Sequence, residues 1–221
     1  MTTPDPMIAP NPMIALDTLR AIAAYRPRCG QEASDQRLIL AYARQYPDTV
    51  LTRENEIAHI TCSGFVLNAA CDRALMAHHN LRNEWAWTGG HADGENDLLA
   101  VAVREAYEEA GIRAVPQTGE IAALDILYMP RHIRRGRFVS THLHLNVSFI
   151  LIVDENAPLA VNPDENTAVR WFDTDEIKAP LFSAGDVEIY GKLLARAREG
   201  QGDGECQGAL PPGPPLKGHV P

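Results

Sequence analysis

The hydrophobic positions change period along the chain. Between residues 13 and 46 they recur at helical spacing. Ala15, Leu19, Ile22 and Ala23 share one face of a segment over 13–25, and Leu38, Ala41 and Tyr42 share one face of a segment over 31–46. Pro27 and Pro47 stand where these two helices must stop. From about residue 58 the period shortens. Runs over 60–68, 73–79 and 84–87, joined by turns at 69–72 and 80–83, predict a β-meander. A loop over 88–96 carries three glycines. The helical period then returns over 98–110 and ends at Gly111, a residue suited to a left-handed C-cap. Further strands are predicted over 121–129, 138–153 and 168–172, and a last helix over 184–198.

Composition refines this outline. Residues 1–12 contain Pro4, Pro6, Pro10 and Pro12, and residues 200–221 contain six Gly and five Pro, so both segments are expected to be disordered. The organisation read from sequence is a disordered 1–12, a helical N-terminal extension over 13–55, one principal domain over 56–199 and a disordered Gly/Pro-rich tail over 200–221. The 221 residues are 45% hydrophobic, enough for a sizeable core. The net charge of −9 leaves no general basic face, so stable nucleic-acid binding is not expected. A small phosphorylated ligand stays open, because a bound metal inverts the local charge. Cys29, Cys62, Cys71 and Cys206 form no CxxC pair, which argues against zinc-knuckle and redox motifs and for a reducing compartment. The N-terminus has no basic start followed by an apolar run, and no stretch reaches 18 apolar residues. A cytoplasmic protein with no membrane partner is therefore expected.

The helix over 98–110 breaks local rules. At about 100° per residue, with Glu105 at zero, Glu109 falls near 40° and Glu108 near 300°, so the three carboxylates form one acidic stripe. Leu99, Val103, Ala106, Tyr107 and Ala110 centre roughly 145° away and are expected to pack inward. Like charges at i,i+4 cost about 0.2–0.5 kcal/mol each. Carboxylates in the last turns oppose the helix dipole by roughly 0.3–1 kcal/mol each. A Glu-rich face is ordinarily just solvated. Uncompensated violations of this kind mark functional sites, and the simplest compensation is a hard divalent cation such as Mg2+ or Mn2+.

The segment Gly89–Ile112 resembles the Nudix box, G-x5-E-x7-R-E-U-x-E-E-x-G-U, with U apolar. The first glycine falls on Gly90, and the core on Arg104, Glu105, Ala106, Tyr107, Glu108, Glu109, Ala110, Gly111 and Ile112. Trp85 and Trp87 before the glycine pair, and Val169-Arg170-Trp171-Phe172 ahead of Asp175-Glu176-Ile177, add to the resemblance, which covers roughly 56–195. One position departs: where the first box Glu belongs, the chain has Asn96, with Glu95 adjacent. Thr88 also stands where a proline often precedes the glycine pair.

The resemblance implies a Nudix-type α/β/α sandwich around a mixed β-sheet, here with a helical N-terminal extension that either packs on the domain or forms a homodimer interface. It implies a Mg2+-dependent (Mn2+ acceptable) hydrolase of the phosphoanhydride bond in a nucleoside diphosphate linked to another moiety: ADP-ribose, a nucleotide sugar or a modified nucleotide. Glu105 and Glu109 are the expected metal ligands, and Glu108 a further ligand or the base that orients water. Arg104 is expected to link a helix Glu to the Gly89–Gly90 loop, which brings backbone groups near the metal. Glu165 is the first candidate for a base outside the box, ahead of Asp164 and Glu155. His142 and His144 alternate on one strand face with Ser140 and Asn146, reading either as a wet substrate-pocket floor or as an ordinary sheet face. His91, beside the glycine pair, is a candidate phosphate contact. Trp85 and Trp87 read as supports or base-stacking surfaces, and Arg131, Arg134, Arg135 and Arg137 as a basic loop. Asn96 motivates a second reading, a nucleotide-binding or regulatory protein that keeps the fold with impaired catalysis. An isomerase on the same scaffold would need a proton-donating Cys, and none stands with the box.

Overall fold

The structure is a computed structural model that describes residues 13–134 and 136–199, so the expected disordered segments 1–12 and 200–221, with Arg135, lie outside it. The chain runs α1 (Leu16–Ala24), α2 (Gly30–Gln45), β1 (Ala58–Leu67), β2 (Arg73–His79), β3 (Glu84–Ala86), β4 (Thr88–His91), α3 (Leu98–Ala110), β5 (Val115–Pro116), β6 (Ala123–Met129), β7 (His132–Arg134), β8 (Arg137–Val139), β9 (His142–Ile152), β10 (Asn166–Asp173) and α4 (Ala184–Glu199).

The sheet is built on one long parallel pair. β1 and β9 run side by side from Ala58↔Leu143 to Leu67↔Ile152. Strands buried on both faces carry near-continuous apolar runs, and β1 is buried along its whole length. All other pairings are antiparallel: β2 and β4 on β1, β10 and β3 on β2, β5 and β6 on β9. One face of this mixed sheet packs Ile60, Cys62 and Val66 against Val101, Ala102 and Ala106 of α3, with Ile22 of α1 and Ile39 of α2 in the same cluster. The other face packs Phe65, Leu67, Met76 and Phe172 against Tyr190, Leu193 and Ala197 of α4. The result is the α/β/α sandwich implied by the resemblance.

The N-terminal helices pack on the domain. Glu32 of α2 is fully buried and bonds Arg196 of α4 at 2.8 Å, with Lys192 3.6 Å away; Lys192 in turn reaches Asp125 of β6 at 2.6 Å. Helix α2 is thus tied to both α4 and the sheet edge by buried charge.

Three local expectations change. The stretch expected as a loop over 88–96 begins as β4, paired with β1 from Gly64↔Thr88 to Thr61↔His91. Glycine weakens a strand by propensity, but here it allows close approach: a Cβ on Gly89 would lie 2.7 Å from the Cys62 carbonyl oxygen. The run over 138–153 divides into β8 and β9, and β7 and β8 form a hairpin where a basic loop was expected. The inward face of α3 is also rotated. Tyr107 is 52% exposed, and the buried positions are Leu98, Val101, Ala102, Ala106, Glu109 and Ala110.

Candidate active site

That rotation decides how the acids of α3 are used. On the same helical wheel the buried positions span roughly 320° through 140°, and Glu109, at about 40°, lies inside that arc. It is not part of a solvated stripe: its residue is 2% exposed. Glu105, at 0°, lies inside the same arc but is only half-buried, and Glu108 faces solvent. The helix that presents them starts at Asp97, whose carboxylate accepts from the Ala100 N–H at 3.0 Å, and ends at Gly111 with φ of 71°, the expected left-handed cap.

Glu109 has one oxygen satisfied and one not. Oε1 accepts from the Gly89 N–H at 3.1 Å, whereas Oε2 is buried with no hydrogen-bond partner. His79, at the end of β2, brings Nε2 to 3.8 Å from Oε2. Burial holds the Glu109 carboxyl well above the ordinary carboxylate range, against the pull of the Gly89 N–H. Burial also lifts Glu105 to about 7, with repulsion from Glu108 adding and Arg104 opposing. Two desolvated acids one turn apart, one with an orphan oxygen, are costly unless something positive completes them. Their all-oxygen character fits a hard divalent cation.

The glycine pair is shaped around these acids. Gly89 supplies the N–H to Glu109, and a Cβ on Gly90 would fall 2.3 Å from the Glu105 carboxyl carbon. Arg104 pairs with Glu95 and lies 3.5 Å from Glu108 and 3.8 Å from Glu105. Its described ion pairs are with acids, and the link from helix to glycine loop is made by Glu109. Glu95 thus provides an upstream carboxylate one residue before the box position. Asn96 is used elsewhere: its Oδ1 accepts from the Ala15 N–H at 2.6 Å and the Thr18 hydroxyl at 3.0 Å, and its Nδ2 donates to the Met13 carbonyl at 3.2 Å. The departure from the box anchors α1.

Glu165 lies within electrostatic reach of the cluster. The start of β10 is docked on the end of α3, with the Asn166 side-chain amide donating to the Glu109 carbonyl at 2.8 Å. Burial raises the Glu165 carboxyl, Glu108 adds to that rise, and the charge of Glu165 is felt in turn by Glu105 and Glu109. Glu165 and Asp164 are both exposed. Glu155 is not brought in; it pairs with Asn68 and Arg73 at the β1–β2 turn. His79 was missed by sequence reasoning, because only the β2–α3 packing places it by Glu109.

His91, His142 and His144 come together away from the acids. Cys62 and Gly90 look toward α3, whereas their neighbours Thr61 and His91 look to the opposite face. On that face His91 lies beside His59 and His144, and His142 beside the same two rings, with the contacting ring centroids 4.9–5.2 Å apart. Ser140 precedes β9 and contributes its carbonyl to His142 Nδ1 at 2.9 Å. The deeper polar residues do not form a wet floor: Thr61 and Ser63 donate to Asn146 Oδ1 at 3.0 and 2.9 Å, and Asn146 donates to Ser148 at 2.9 Å, all buried. Trp87 and Trp85 are supports, packed edge-on against Tyr190 and Phe172 respectively.

The NUDIX domain family model matches residues 58–193. Among solved structures, the E. coli dihydroneopterin triphosphate pyrophosphohydrolase has 15% identity and a TM-score of 0.47, covering 62% of this chain and 95% of its own. A C. elegans Ap4A hydrolase binary complex has 15% identity and a TM-score of 0.44, covering 63% and 98%. The MutT protein from Bacillus halodurans has 23% identity and a TM-score of 0.41, covering 61% and 81%. No curated protein matches. Among the described residues, no helix is long and apolar enough to cross a membrane.

Proposed function

Because the chain belongs to the NUDIX domain family, we propose that it is a Mg2+-dependent pyrophosphohydrolase that cleaves the phosphoanhydride bond of a nucleoside diphosphate linked to a further group. The observation that carries this reading is Glu109: a carboxylate within the buried face of α3, with one oxygen held by Gly89 and the other without a partner. Such a group is expensive in a merely structural helix.

Glu105 and Glu109 would hold the cation, with Glu108 at the solvent side of the same cluster. When bound, Mg2+ neutralises diphosphate charge and makes an attacking water more acidic. The chain's own residues do the rest. The Gly89 N–H fixes the Glu109 carboxylate, and Gly90 leaves room for that of Glu105. Arg104 gathers Glu95, Glu105 and Glu108, keeping the carboxylates oriented despite their repulsion. Glu108 or Glu165 takes the proton of the attacking water at a carboxylate oxygen; the raised affinity of Glu165 for a proton suits it to that step. His91, His142 and His144 lie on the other sheet face and take no part in this step.

The test is a panel of ADP-ribose, nucleotide sugars, dinucleoside polyphosphates and oxidised nucleoside triphosphates, with Mg2+ or Mn2+ and mass-spectrometric identification of products. Release of a nucleoside monophosphate that depends on Glu109 supports the reading. Ligand binding without turnover across the panel favours the binding-protein alternative.

A further inference from the structure

We propose that His59, His91 and His144, with His142 beside them, form a second metal site, for a borderline transition-metal ion of the Zn2+ class, on the sheet face opposite the carboxylate cluster. Topology assembles it. β4, β1 and β9 are adjacent, and their registers set His59 opposite His144, and His91 opposite Thr61, two residues along β1 from His59. Strand alternation turns all four rings to one side. One ligand nitrogen from each of His59, His91 and His144 falls within 4.8 Å of the others. The Nε2 atoms of His142 and His144 are 3.1 Å apart. Two nitrogens on one tetrahedral ion with bonds of 2.0–2.1 Å stand about 3.3 Å apart, so binding requires the three nitrogens to close in from within 4.8 Å and the His142–His144 hydrogen bond to give way to the ion.

The outer hydrogen bonds are those of metal-binding imidazoles. A ligating histidine commonly donates its second ring N–H to a carbonyl, which fixes the tautomer and aims the other nitrogen at the ion. His59 Nδ1 lies 2.9 Å from the Asn55 carbonyl oxygen, and His142 Nδ1 lies 2.9 Å from that of Ser140. Carbonyls only accept, so both Nδ1 atoms carry the hydrogen and both Nε2 atoms present lone pairs. His59 Nε2 is then a buried acceptor with no partner, in a residue 4% exposed. A buried acceptor left empty is costly, and no described residue donates to this one. Burial pushes His91 and His144 down to about 2 and holds His59 below its ordinary range, so these rings are neutral, the form that ligates metal. An all-imidazole set selects Zn2+, Co2+, Ni2+ or Cu2+, whereas the carboxylates across the sheet suit Mg2+ and Mn2+. His91 and His144 are part-exposed, which leaves the ion an open side toward solvent.

The site does not depend on the hydrolase reading. Full-length protein without a polyhistidine tag, stripped with chelator, is titrated with Co2+ in excess Mg2+ and followed by visible absorption. The expected result is saturation at one ion per chain, with the intense bands of a tetrahedral nitrogen-ligated Co2+ that Zn2+ then displaces. His59→Gln, His91→Asn and His144→Asn are each expected to weaken binding by more than the roughly 10–100-fold that altering an outer-shell partner costs. Glu105→Gln/Glu109→Gln is expected to bind Co2+ as wild type does, even if hydrolysis is abolished. Should His59→Gln fail to fold, the two part-exposed positions carry the mutational test, and the 15N shift of His59 Nε2 on Zn2+ addition reports its ligation in the wild type. No saturable uptake, uptake that survives in folded His91→Asn and His144→Asn, or uptake lost only with the glutamates would overturn the site.

Discussion

Replacing Gly90 with alanine separates a functional role for the glycine pair from a merely structural one. The backbone at Gly90 is not left-handed, so an L side chain meets no φ penalty. The obstacle is Glu105. A Cβ would stand 2.3 Å from its carboxyl carbon and Oε2, while ordinary contact begins at 3.4 Å, so the carboxyl group must retreat by about 1.1 Å. Because that group ends a flexible side chain, the fold accommodates it. Moving a side chain off its rotamer costs about 0.5–1.5 kcal/mol. The gain from restricting the unfolded chain, about 0.4–1 kcal/mol, offsets much of that. Stability should therefore change by about 1 kcal/mol or less, whereas a displacement near 1 Å at the reacting centre costs on the order of 100-fold in rate. Urea unfolding and turnover of the best panel substrate, run on Gly90→Ala and wild type together, check both halves. A folded Gly90→Ala that turns over within a few-fold of wild type would refute the assignment of Glu105; a loss of several kcal/mol would refute the argument that only a side-chain end must move.

Gly111→Ala is expected to behave in the opposite way: its φ of 71° and a Cβ 2.7 Å from that of Ala160 should lower stability in urea by at least about 1–2 kcal/mol. Glu32→Ala leaves Arg196 and Lys192 short of a buried partner and should destabilise by about 3–5 kcal/mol, with amide exchange rising first in α2. Asn96→Ala removes the bonds to Ala15, Thr18 and Met13 and should cost about 1–2 kcal/mol while turnover stays within a few-fold, because Glu95, not Asn96, meets Arg104. Full inactivation of folded Asn96→Ala would instead place Asn96 in the chemistry.

Helix α3 and the strands around it were legible because each had a clear period and a turn or cap at its ends; the segment 98–110 matched to the residue. The glycine strand β4 was not, since its extended conformation comes from pairing with β1 and runs against propensity. The wheel of α3 placed its three acids correctly relative to one another. It misjudged which side faces inward, because sequence scores Glu109 as polar while tertiary packing buries it beneath Gly89. The approach of Glu165 depends on docking of the start of β10, which no local pattern encodes. His142 and His144 were legible as one face of one strand. His59 and His79 were not, because each joins its neighbours only across strand or helix packing.

The central claim is that Glu105 and Glu109 endure burial side by side in order to hold a hard cation. Its most direct test is Mn2+ binding by electron paramagnetic resonance, with Mg2+ as competitor, on wild type and Glu109→Gln. The glutamine keeps an oxygen for the Gly89 N–H, so the fold should persist. Wild type is expected to bind Mn2+ saturably and release it to Mg2+, and the folded variant to lose on the order of 10–100-fold or more in affinity. Equal Mn2+ affinity in the two proteins, with nucleotide present or absent, would contradict the account.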